Sequence, residues 1–124
     1  MENTPRIAND NYSTEELKER SRKHELQQRK KELTEMSMLL EEAKDWARTQ
    51  RRGLVSSNLS KKSRMRIQEC DAALSPLEAA IEVADNLLEA AEAQPDSRVA
   101  LVQSKQAMSR MMLVFEGAQQ VVEE

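Results

Sequence analysis

One histidine, one cysteine and 22 carboxylates are the groups from which this chain of 124 residues would have to build chemistry. His24 falls in the polar run KERSRKHELQQRKKE, where it is expected to be solvated. A metal centre needs His, Cys or carboxylate ligands clustered at compatible spacing, and a nucleophile needs a base held beside it. Neither pattern occurs. Gly53 and Gly117 are 64 residues apart, so a glycine-rich phosphate loop cannot be built. Cys70 falls on an apolar stripe, where a thiol acts as a small hydrophobe. These residue types predict a protein that is not an enzyme and takes no metal or cofactor.

One charged group remains. Residues 48–66 carry seven basic side chains and no acid, in a chain of net charge -3. Arg48, Arg51 and Arg52 would close a helix, where cations favour the dipole; Lys61, Lys62, Arg64 and Arg66 would open one, where they oppose it. The surplus makes this bend a candidate anion site for nucleic acid, an acidic protein or an anionic membrane. Ser60 and Ser63 lie among the basic residues, so phosphorylation there would cancel positive charge. Arg52 and Lys61, with eight residues between them, also give a weak likeness to a bipartite nuclear import signal.

The elements that must position these groups are helical. Trp46, Tyr12 and Phe115 are the only aromatics, and Ala, Leu, Met, Glu, Lys, Gln and Arg dominate, which suits helices and not sheets. One third of the residues are charged, which predicts narrow, coiled-coil-like apolar stripes. Residues 1–13, polar and without period, are expected to be a disordered tail. The rest, 14–124, is expected to be one domain: an all-α, antiparallel three-helix bundle, or coiled-coil-like hairpin, with a long first helix. The helices are expected at about 14–52, 60–93 and 97–122.

Gly53 is the expected stop of the first helix, with Ser57, Asn58 or Ser60 capping the second. Pro76 should kink the second helix or break it; the unbroken heptad phase on its two sides favours the kink. Asp96 or Ser97 should cap the third. The apolar stripes are Leu33, Met36, Leu40, Ala43 and Ala47; then Ile67, Cys70, Leu74, Leu77, Ile81, Ala84, Leu88 and Ala91; then Leu101, Met108, Met111, Phe115, Ala118 and Val122. Trp46 is expected to pack on the second or third helix.

Charge is segregated too: eight acids and no base lie between Ile67 and Asp96. A reversal near residue 55 would set Glu78 level with Glu32 and Glu92 level with Lys18. The acidic stripe would then face Lys18, Arg22, Arg29, Lys30 and Lys31. Glu41, Glu42 and Asp45 would face Arg64 and Arg66. In that register the second helix beyond Leu77 meets almost nothing apolar on the first. Leu77, Ile81, Leu87, Leu88, Met111 and Met112 would form an incomplete apolar face.

That face predicts a non-enzymatic helical module for protein–protein interaction: an adaptor, assembly subunit or regulator. Its partner would be another protein or a second copy in a homodimer, with no small-molecule substrate. The alternative is nucleic-acid or anionic-surface binding through the bend at 48–66. No apolar run reaches the roughly 20 residues of a membrane span. The start MENTPRIANDNYSTEE lacks the pattern of a signal peptide. With one cysteine, a cytoplasmic location is expected, or a nuclear one.

Overall fold

The computed structural model describes the backbone of residues 3–56 and 61–123 and the side chains of 14–54 and 64–123. Three helices make up the fold: α1 (Asn3–Ser56), α2 (Lys61–Ala93) and α3 (Arg98–Glu123). No strand occurs among the described residues. α2 and α3 form the closest pair, α1 lies mainly on α2, and α1 touches α3 over a short stretch. The expected all-α three-helix bundle is the observed one.

The α2–α3 turn follows its sequence closely. The Ser97 amide donates to the Gln94 carbonyl at 2.9 Å, closing a turn over Pro95 and Asp96. Pro95 supplies the fixed φ that the second position of such a turn favours. Ser97 is the cap: its Oγ accepts from the Ala100 amide at 3.1 Å. Arg29 of α1 donates to the Pro95 carbonyl at 3.1 Å, which ties this turn to the middle of the long helix.

Two boundaries differ from expectation. α1 begins at Asn3 rather than near Ser13 or Thr14. The side chains of 1–13 lie outside the described residues, and so does any cap among residues 57–60. Gly53 does not stop α1. It has no positive φ, and the helix continues to Ser56. Glycine permits a left-handed cap but does not compel one. Pro76 lies inside α2, which runs through it as one helix, as the continuous heptad phase indicated. The ring is exposed, so the Ala72 carbonyl that loses its donor lies on the solvent side of the helix.

The α1–α2 register differs from the expected one, and the late end of α1 accounts for only part of the difference. In a hairpin, each residue by which the reversal is delayed slides the level partner by two. Glu78 meets Arg51 rather than residue 32, and Asp85 meets Lys44, a larger slide than the four added residues of α1 produce alone. Glu41 and Asp45 pair within α1, with Lys44 and Arg48, and not with Arg64 or Arg66.

The slide brings the apolar half of α1 over the upper half of α2. One core results, holding Leu33, Met36, Leu40, Ala43 and Ala47 of α1 with Leu77, Ile81, Ala84, Leu88 and Ala91 of α2. α3 adds Ala107, Met108, Met111, Phe115 and Ala118. Each aliphatic side chain so buried contributes about 1.5–3 kcal/mol. Trp46 packs on α3, its ring 5.4 Å from that of Phe115 and tilted by 55°.

Candidate interaction surfaces

The shifted register corrects the expected binding face. Leu77 is 0 % exposed, Ile81 8 %, Leu88 3 % and Met111 0 % within the single chain. These four are core, enclosed among the three helices. Leu87 and Met112 are the members of that set that stay partly open. The sequence located the stripe correctly, but its assumed turn put the wrong part of α1 opposite it.

The open apolar surface lies elsewhere. Between α1 and α3 runs a groove lined by Met36, Leu39, Met108, Met112 and Leu113, with Lys105, Ser109 and Glu116 at its edges. Met36 and Met108 form its buried floor. Leu113, at 70 % exposure, and Leu39, at 40 %, stand on its rims. The groove exists because α1 and α3 both pack on α2 and touch each other over a short stretch, with the Ser104 hydroxyl buried between them. That buried hydroxyl donates to the Leu101 carbonyl at 2.7 Å and lies 3.8 Å from the sulfur of Met36. In the sequence, Leu39 adjoins the stripe residue Leu40, and Leu113 falls in the run MMLVF, apolar on every side. Those were the available signals; what they lacked was the separation of the two helices.

A second, shallower groove lies between α2 and α3, lined by Ala80, Val83, Leu87, Gln103, Gln106, Ala107 and Arg110. Its amide and guanidinium groups make it more polar than the first.

The bend at 48–66 holds less free charge than its composition suggests. Arg51 donates to both oxygens of Glu78, at 2.6 and 3.2 Å, and also to Asp71. Its guanidinium is held more firmly in the charged form, first by the bond to Glu78 and then by that to Asp71. Arg66 donates to the carbonyls of Val121 at 2.6 Å and Val122 at 2.9 Å, and pairs with Glu69 at 3.2 Å. It thus covers carbonyls that the end of α3 leaves without intrahelical donors. Arg48 pairs with Asp45 at 3.5 Å. Arg52 has partners of its own. Arg64 is exposed, and the side chains of Lys61 and Lys62 lie outside the described residues. Two of the seven predicted anion ligands, Arg51 and Arg66, are therefore structural.

A further basic surface becomes visible only with the register in place. Residues 14–25 of α1 are exposed without exception. Glu25 reaches Arg98 at 3.7 Å, and Arg29 reaches the α2–α3 turn. N-terminal to this level, α1 runs past the end of the bundle. His24 lies at that edge and is exposed. Cys70 is a buried free thiol. Among the described residues, no three His, Cys, Asp or Glu side chains form a group able to hold a metal ion.

These features define the class, a three-helix bundle whose first helix outruns the other two. No family model matches the chain, and neither a curated protein nor a solved structure matches it. No helix among the described residues is long and apolar enough to cross a membrane.

Proposed function

We propose that this chain is a non-enzymatic helical protein-interaction module, an adaptor, assembly subunit or regulator. It takes an amphipathic helix of another protein into the groove between α1 and α3. The observation that carries this reading is the groove itself: a buried methionine floor, Met36 and Met108, beneath exposed Leu39 and Leu113. A fourth helix there would complete a four-helix core, with its apolar face presented at the i, i+3, i+4 and i+7 spacing such grooves receive. Methionine side chains adapt to partners of varied shape. A cytoplasmic or nuclear setting belongs to the same proposal and agrees with the unpaired thiol of Cys70.

A photo-crosslinking amino acid at position 113 tests the reading in cells. It should capture a peptide with helical apolar spacing, while the same probe at exposed position 72 should not. Leu39→Glu with Leu113→Glu should abolish interaction without lowering the melting temperature. Equal capture at both positions would remove the groove from the account.

A further inference from the structure

The register leaves two charged surfaces unsatisfied on one molecule. Between residues 18 and 31 the chain has seven bases and two acids. Of these bases, Lys18, Arg20, Arg22, Lys23, Lys30 and Lys31 are exposed and have no ion-pair partner among the described residues. On α2, Glu82, Glu89 and Glu92 are exposed and equally unpaired, as is Asp96 in the α2–α3 turn. The other acids of α2 are engaged within the chain, Asp71 and Glu78 by Arg51, Asp85 by Lys44, and Glu69 by Arg66.

The two surfaces cannot satisfy each other within one chain. Lys18, Arg20, Arg22 and Lys23 lie beyond the α2–α3 turn, whereas the acidic face lies behind it. We propose that the overhanging part of α1 in one copy lies along the acidic face of α2 in a second copy. A twofold axis near the two turns sets the bundles end to end, so each overhang runs beside the partner's α2. The paired helices are then parallel. Arg20 and Lys23 in the overhang have the same three-residue spacing as Glu89 and Glu92 on α2, and in that alignment both pairs face each other. Each set spans ~4.5 Å of helix at 1.5 Å per residue, so the charges stay level along the contact.

A second copy fits these surfaces better than any other anionic partner. Nucleic acid or an anionic membrane would satisfy the bases and leave the acids bare. A twofold pair satisfies both at once and closes the assembly, because the interface is used reciprocally. The contact also supports a helix that lacks an apolar face and would be marginal alone in water. It uses neither rim of the α1–α3 groove, so it is independent of the helix-binding reading.

Analytical ultracentrifugation of the full chain tests the proposal. The chain should self-associate as a dimer at about 0.1 M salt and dissociate at about 1 M, where the screening length falls from roughly 10 Å to 3 Å. Arg20→Glu with Lys23→Glu should weaken dimerisation by about tenfold or more, as should Glu89→Lys with Glu92→Lys. Helicity by circular dichroism should match that of the wild type in both variants. Mixing the two variants should restore a dimer, since each supplies the charges the other lacks. A chain that is monomeric at both salt concentrations overturns the proposal, and so does a mixture that stays monomeric. Binding of duplex DNA or of vesicles rich in phosphatidylserine by a persistent monomer also overturns it, and assigns the overhang to that partner. A dimer indifferent to charge reversal but abolished by Leu39→Glu with Leu113→Glu overturns it too, while leaving the groove reading intact.

Discussion

Lys44 and Arg51 are seven residues apart, and so are their partners Glu78 and Asp85. The matched spacing makes these residues a register lock on the flank of the α1–α2 contact, as flanking charges are in coiled coils. Lys44 donates to Asp85 at 3.0 Å and to Glu41 at 3.3 Å. Its ammonium is held above the ordinary 10.5, chiefly by the bond to Asp85, with burial opposing and Glu41 adding to the rise. A double-mutant cycle on Lys44 and Asp85 is expected to give a coupling of about 0.5–1 kcal/mol at neutral pH, the upper part of the range for partly solvated pairs. The sign of its pH dependence follows from the raised folded-state value. The contribution is complete below 10.5 and is lost as the pH climbs through the higher folded value. A coupling that stayed constant to the alkaline limit would assign it to packing of the lysine stem. Gly117 offers the opposite test, of a residue with no contact role. It lies exposed inside α3, and an added Cβ would meet nothing within 4 Å. Gly117→Ala should stabilise the fold by about 0.5–1 kcal/mol in urea unfolding, through backbone entropy and helix propensity alone.

At the scale of elements, what the sequence revealed was local. A stripe such as Leu74, Leu77, Ile81, Ala84 and Leu88 fixes which face of α2 is buried, whatever covers it. The cap at Ser97 was legible for the same reason, since its hydroxyl serves an amide three residues away. Register is not local. Two heptad stripes can slide past each other and still mesh, so a register counted from a reversal near residue 55 misplaced the expected partners of Glu78 and Asp85. The candidate groove was less legible still, because it depends on how far apart α1 and α3 stand rather than on the pattern of either. Pro76 gives the element-scale prediction. Alanine there restores a donor to the Ala72 carbonyl and recovers a propensity difference of about 3 kcal/mol. The unfolded chain regains freedom that costs about 0.4–1 kcal/mol in return. Pro76→Ala should therefore stabilise the protein by about 2 kcal/mol in urea unfolding. No gain, or a loss, would show that a bend at Pro76 is needed to seat Leu74 and Leu77, both fully buried.

At the scale of the molecule, α1 is one helix with two environments. Its 54 residues would extend about 81 Å, against about 39 Å for the 26 of α3. Residues 33–47 bury five side chains against α2 and α3, while 14–25 bury none. A helical stretch without tertiary contacts opens at small free-energy cost, whereas core amides exchange only through large or global opening. Hydrogen exchange followed by mass spectrometry should therefore show a steep gradient along one continuous helix. Peptides covering 14–25 should exchange orders of magnitude faster than those covering 36–47 when the protein is dilute and the salt is high. Pairing of copies through the overhang adds a second signature. Protection of 14–25 should rise with protein concentration at low salt, together with that of 82–92 on α2, and 36–47 should not change. Concentration-dependent protection confined instead to 105–116 would place the self-contact in the α1–α3 groove. Uniform, concentration-independent protection along α1 would mean that its exposed half draws stability from within its own chain, and the division of α1 into a packed half and a free one would have to be given up.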